Sequence, residues 1–221
     1  MADPDCLYVN GCSFTYGTEL PEDKRLDQCY PAIIAKELNL PLILKADPGS
    51  SNQRILRTMV EDIDDLIDQG KHPFVLIGWS EPMRYELCSL KNNDWVNFTC
   101  HDDRDSELSE IITSRYNSDS GQTELFLKQL LLSQSFIKER QLRSLQFNMF
   151  QTPHWALPHD RFIKLSDRLD NTMFLSTWFW MRSYMATFTN VRYYPGGHPD
   201  HVGHEVIAKF LLEQMKHRNL Y

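Results

Sequence analysis

Phe74-Val75-Leu76-Ile77 is an unbroken apolar run, and a strand of that kind is stable only when both of its faces are covered. Three further short runs resemble it: Cys6 to Asn10, Leu40 to Leu44 and Leu145 to Phe150. Between them the apolar residues change period. Tyr30, Ile33, Ile34 and Leu38 recur at helical spacing, as do Ile55, Met59, Ile63 and Leu66, and finally Val202, Val206, Ile207, Phe210 and Leu211. Glu124 to Arg140 is a further helical stretch. Strands that alternate with amphipathic helices predict a three-layer α/β/α sandwich around a mainly parallel sheet.

The punctuation agrees with that reading. Gly11 stops the first strand, Asp47-Pro48-Gly49 turns the chain after the second, and Ser50 or Ser51 is suited to cap the helix that follows. Pro31 sits where a first helical position tolerates proline, and Gly70 ends a helix. A length of 221 residues suits one domain over 1–221. Two stretches read as insertions. One, at about 86–122, is polar with little regular structure; the other, at about 152–189, is aromatic-rich and part helical. Arg192-Tyr193-Tyr194 reads as a last short strand.

Charge and cysteine usage narrow the partners. The net charge is −7 with no Lys/Arg-rich run, which argues against nucleic acid and anionic membrane surfaces. The N-terminus carries acids where a signal peptide needs bases. The longest apolar-rich stretch, Met173 to Phe188, contains Arg182 and is too short to span a bilayer. Five cysteines without a CxxC pair read as free thiols in a reducing cytoplasm.

In parallel α/β sheets ligands bind at the carboxyl ends of the strands, which is where Ser13, Gly49, Ser80 and Asn148 fall. Ser13 lies in Gly11-Cys12-Ser13-Phe14-Thr15-Tyr16-Gly17, a glycine-flanked turn directly after a strand. A serine there is a candidate nucleophile if a base can take its proton; Cys12 beside it reads as a buried thiol. Gly49-Ser50-Ser51-Asn52 lets the backbone approach a ligand at Gly49, and Asn52 is placed to turn its amide toward the same cleft. His198-Pro199-Asp200-His201-Val202-Gly203-His204 sets a histidine at a loop–helix junction, suited to a general base. Its His-x-x-His-x-x-His spacing brings no carboxylate set with it, so the expected site needs neither metal nor cofactor. Arg84 borders the site as a candidate for an anionic substrate group, or pairs with Glu81 or Glu86. Phe174, Trp178, Met181, Met185 and Phe188 form a helical stripe, with Trp180 and Trp155 off it as candidate cleft residues. His101-Asp102-Asp103 reads as a solvated loop.

With these blocks in this order, the chain resembles the SGNH (GDSL-like) hydrolase superfamily, phage-encoded or bacterial members most of all. Gly11 to Gly17 is similar to the first block, with Cys12 replacing the usual Asp. Pro48 to Asn52 is similar to the second, and His198 to His204 to the last. The resemblance implies a flavodoxin-like sheet and a small-molecule or glycan ester as substrate. It also implies a Ser13 acyl-enzyme with His198 as general base, and an oxyanion held by the N–H groups of Ser13 and Gly49. Two positions depart from the pattern. Ser80 stands where the third block has Asn, so that Ser80 or Asn52 is the candidate oxyanion donor. Pro195 stands where the acid that orients the histidine is usual. Asp200, Glu81 or a backbone carbonyl near Pro195 or Gly196 are the alternatives, Asp200 the foremost of the side chains. The two departures also motivate a second reading, a catalytically inactive binding or structural module. A metal-dependent phosphoesterase built on the His-rich segment is a third.

Overall fold

The structure is a computed structural model that describes residues 2–89, 94–99, 106–112, 114, 118–153, 156 and 158–221. Four parallel strands make the central sheet: β1 (Cys6–Gly11), β2 (Leu42–Leu44), β3 (Pro73–Trp79) and, after a hairpin, β6 (Ser144–Asn148). Their order across the sheet is β2-β1-β3-β6. Successive side chains leave a strand on opposite faces, and the two cores follow that alternation. Leu7, Val9, Phe74, Leu76, Leu145 and Phe147 pack on one face with α3 (Tyr30–Glu37), α8 (Met181–Met185) and α9 (His201–His217). Tyr8, Val75, Ile77 and Trp79 pack on the other with α4 (Asn52–Asp68), α6 (Asp119–Glu139) and α7 (His159–Ser166). The result is the expected three-layer sandwich. Among the described residues no helix is long and apolar enough to cross a membrane.

The short helices α1 (Ser13–Tyr16) and α2 (Arg25–Gln28) follow β1, and α1 sits directly on the sheet. Two glycines make this possible. Gly11 and Gly78 are register partners at the ends of β1 and β3. A Cβ on Gly11 would lie 2.1 Å from Thr15 Oγ1 and 2.9 Å from the Gly78 carbonyl, and one on Gly78 would lie 2.9 Å from Thr15 Oγ1. Tyr30 donates its hydroxyl to Thr15 Oγ1 (2.9 Å), fixing the other side of the turn. Gly11→Ala is therefore expected to destabilise the protein by about 3 kcal/mol, since strand and turn cannot both keep their places. The midpoint of urea unfolding measures it.

Three expectations are corrected. The segment starting near Glu86 is not irregular: β4 (Arg84–Cys88) and β5 (Trp95–Thr99) form an antiparallel hairpin, and α5 (Ser106–Ile111) follows. Arg57 on α4 holds the hairpin by donating to both Glu86 oxygens, at 3.0 and 2.7 Å. Arg192 to Tyr194 is not a strand; only an isolated bridge joins Tyr193 to Pro199. The stripe from Phe174 to Phe188 is not one helix. Phe174 bridges Gln146 at the sheet edge and only Met181–Met185 is helical, so Trp178 is 55% exposed while Met181 and Met185 are buried. Cys6, Cys12 and Cys29 are buried free thiols and Cys88 an exposed one; burial pushes the Cys6 thiol up to about 12. Cys100, Trp155 and the His101-Asp102-Asp103 run lie outside the described residues.

Candidate active site

The carboxyl ends of β1 and β3 face the same side, and the turn after β1 is tightly braced. Asn10, the last side chain before Gly11, is fully buried. Its amide donates to Tyr8 Oη (3.0 Å) and Thr58 Oγ1 (2.8 Å), and its Oδ1 accepts the Gly11 N–H (2.8 Å). Tyr8 in turn donates to Asp62 (2.9 Å). A buried polar group of this kind costs free energy unless its bonds are met, and here they fix the strand where α1 begins. Ser13 is the first residue of α1, 7% exposed. Its carbonyl accepts the N–H groups of Gly17 and Thr18, both at 3.0 Å.

That last contact aims the chain so that Glu19, at φ +70°, turns its carboxylate toward the loop before α9. Glu19 Oε2 lies 2.7 Å from His198 Nδ1. The same carboxylate accepts the N–H of Gly196 on Oε1 (2.9 Å) and that of His198 on Oε2 (3.4 Å). A Cβ on Gly196 would come within 2.6 Å of Glu19 Oε2, so this approach requires glycine. The imidazole N–H of His198, with the Gly196 N–H second, holds the Glu19 carboxyl below the usual carboxylate range. With Nδ1 donating to Glu19, Nε2 is the ring nitrogen free to accept a proton. The Phe14 ring, adjacent to Ser13, packs against the His198 ring at 5.2 Å between centroids. His198 is thus tied to the Ser13 turn twice, through Phe14 in α1 and through Glu19 just beyond it. Among the described residues Ser13 Oγ has no hydrogen bond to His198, a bond that in unliganded sites is often long or poorly aligned.

The other expected residues are distributed as follows. Asp200 does not reach the imidazole: it is the N-cap of α9, accepting the Gly203 N–H at 3.0 Å. Gly49 has φ +81° and open space where a Cβ would stand, so conformation alone demands glycine there. Asn52 is not turned into a cleft. It accepts the Ser80 N–H (2.7 Å) and donates to the Ser80 carbonyl (3.1 Å), clamping the loop after β3. Ser80 is 2% exposed, and its own Oγ has no partner among the described residues. Arg84 lies 3.9 Å from Glu81 and 5.6 Å from the Phe150 ring. The three histidines of the last block diverge. His198 meets Glu19, His201 is exposed, and His204 is buried with Nδ1 accepting the Tyr30 N–H at 3.2 Å.

Glu19 is the residue that sequence reading missed. It lies 179 positions from its partner, in a polar loop where an acid is unremarkable. Beside His198 opens a cleft of about 550 Å³. Gly197, Tyr193, Trp180, Arg182, Phe150 and Glu81 line it. Phe150 packs edge-on against Phe14 at 5.1 Å, which joins the cleft to the Ser13 turn.

Comparison with solved structures shows an SGNH-like fold. The esterase EstA from Pseudoalteromonas sp. is 10% identical with a TM-score of 0.55, the match covering 96% of this chain and 97% of that one. TesA is 11% identical with a TM-score of 0.58, covering 96% and 99%. A protein of Slackia heliotrinireducens assigned to the SGNH hydrolases is 11% identical with a TM-score of 0.50, covering 96% and 100%. No curated protein matches the chain in sequence. A sequence model of one protein family, described as a family of unknown function, matches residues 18–220, a range that begins just after Ser13 and includes Glu19, Gly49, Ser80 and His198.

Proposed function

The chain belongs to that family, DUF6071, and we propose that this member is a serine hydrolase that cleaves small acyl esters. The observation that carries the reading is the Glu19–His198 pair, 2.7 Å apart and anchored to the turn that presents Ser13. A carboxylate on Nδ1 fixes the tautomer in which Nε2 is basic, and it stabilises the imidazolium that forms as the nucleophile loses its proton.

The steps are those of acyl transfer. Ser13 Oγ attacks the ester carbonyl carbon while His198 Nε2 takes the hydroxyl proton, and the carbonyl π electrons move onto oxygen. Collapse of the tetrahedral adduct expels the alcohol, which takes the proton from His198. Water then attacks the acyl-enzyme, giving its proton to His198; the second collapse returns that proton to Ser13 and frees the carboxylic acid. The N–H groups of Ser13 and Gly49 serve the oxyanion, with the Ser80 hydroxyl in the place of the Asn usual in SGNH hydrolases and Asn52 holding the Ser80 backbone in position.

A fluorophosphonate probe tests this without knowledge of the substrate. The expected result is one covalent adduct, mapped to the Ser13 peptide, that is absent in Ser13→Ala and in His198→Ala. A folded protein that neither labels nor hydrolyses p-nitrophenyl acetate would overturn the reading in favour of a binding module, for which the absence of an Asn at Ser80 is the motive.

A further inference from the structure

Two charged side chains line the cleft beside His198, Glu81 and Arg182, and among the described residues they form no ion pair with each other. Acids outnumber bases in this chain, 30 to 23, and its arginines generally find them. Arg57, Arg140, Arg143 and Arg161 each reach a carboxylate within 3.1 Å. Arg84, nearer the cleft, stands 3.9 Å from Glu81. Arg182, like Arg168, Arg192 and Arg218, makes no such pair among the described residues, and of these four it is the one that lines the cleft. It is exposed, and among the described residues has no carboxylate within 4.0 Å. Its backbone N–H donates to the Met149 carbonyl (3.0 Å), fixing the start of α8 to the end of β6. Its guanidinium lies 5.9 Å from the Phe150 ring, on whose face Arg84 also sits. Trp180 and Tyr193 supply aromatic walls, and the Trp180 indole N–H is bonded to Ser183. Burial pushes the Tyr193 phenol up, and the charge of Arg182 pulls against it, as expected of two groups sharing one cavity.

We infer that the cleft takes an ester carrying an anionic group, a carboxylate or a phosphate, with Arg182 as its counter-charge and Trp180 and Tyr193 packing on the part between the anion and the ester. The inference rests on the esterase reading. It reassigns the expected anion contact from Arg84 to Arg182. A guanidinium offers a planar fork of N–H donors that matches both anions. A cleft with low-dielectric aromatic walls also strengthens the attraction relative to open surface.

The test compares esters that differ in the anion alone. Phenyl acetate is the neutral reference, with 4-acetoxybenzoate and 4-acetoxyphenyl phosphate as the two anionic arms; p-nitrophenyl butyrate and the p-nitrophenyl monoester of succinate ask the same question of the acyl side. The wild-type protein is expected to favour an anionic member in kcat/KM. Arg182→Gln should lower the anionic-to-neutral ratio by about tenfold to a hundredfold, the size of a charge-assisted contact. Arg182→Lys should restore part of the ratio, and added salt should erode it in the wild type. The arm with the larger loss identifies carboxylate or phosphate as the group bound. A ratio unchanged in Arg182→Gln, or a wild-type preference for the neutral esters, overturns the inference. If Ser13 is inert toward every ester and probe, the esterase reading fails by itself, and quenching of tryptophan fluorescence by 4-hydroxybenzoate or phenyl phosphate decides the cleft. Binding that is lost in Arg182→Gln sustains the anion site, and absence of binding overturns it.

Discussion

Glu19→Gln is expected to lower kcat on a small acyl ester by roughly a hundredfold to ten-thousandfold while leaving the protein folded. The glutamine is nearly isosteric, so the Gly196 N–H keeps an acceptor. What changes is the partner of His198 Nδ1, 2.7 Å away. A carboxylate can only accept there, which forces the proton onto Nδ1 and leaves Nε2 basic. An amide can present its NH2 instead, which selects the wrong tautomer and supplies no negative charge to the imidazolium. Two further readouts separate a positioning role from a structural one. Glu19→Asp should recover part of the rate, because charge and acceptor return with only reach reduced. In Glu19→Gln the loss should fall on kcat rather than on KM, since the carboxylate stabilises the imidazolium that forms only as the nucleophile loses its proton. Equal kcat for Glu19→Gln and wild type would remove Glu19 from the site. Gly196→Ala should act in the same direction, because its Cβ would stand 2.6 Å from the present place of Glu19 Oε2 and displace the carboxylate.

The contrast between Ser13 and Glu19 marks what could be read from the residues alone. Ser13 and Gly49 each follow, and His198 precedes, an element whose period is visible, so their placement toward the carboxyl ends of the strands is expected from topology before any side chain is placed. Ser51 and Asp200 carry the same kind of local signal, a capping side chain three residues before the N–H it accepts. The reading of Asp200 as an acid set this capping signal aside. Glu19 has no local signal. Its position depends on φ +70° in a loop and on a glycine far along the chain. The expectation of an acid close before the histidine directed attention to Pro195 instead. The β4–β5 hairpin was hidden for a related reason. Five-residue strands amid dense Asn and Asp show little alternation, and the Glu86–Arg57 pair that holds them to α4 is a contact across 29 positions. Local periodicity reports burial on one element; it is silent on polar pairs whose partners meet only after folding.

The second large effect expected is on stability, and it comes from His204. This ring is fully buried, stacked on Tyr30 with its Nδ1 accepting the Tyr30 N–H, and its Nε2 has no partner among the described residues. Desolvation is the main reason its pKa falls to about 3; the charge of His198 lowers it further and that of Asp200 opposes. The first turn of α9 adds the partial positive charge of a helix N-terminus. In the unfolded chain a histidine takes its proton near 6.5, whereas in the folded chain it does not until about 3. The unfolded state therefore binds more protons throughout that window, and stability falls as pH drops from 6.5 toward 3. The loss is about 2 kcal/mol by pH 5, from 1.36 kcal/mol per pH unit. Glu19, whose pKa is lowered, acts in the same sense at lower pH: its contribution is present above the usual carboxylate range and disappears as pH falls through its folded value. Urea unfolding at pH 7.5 and pH 5 measures the sum, and His204→Asn isolates the histidine. Asn keeps an acceptor for the Tyr30 N–H and does not titrate. The variant should be less stable at pH 7.5 because of the cavity it leaves, yet lose about 2 kcal/mol less than the wild type on acidification. Identical losses in the two proteins would mean that His204 is protonated in the folded state well above pH 5, and that the space at its Nε2 admits water.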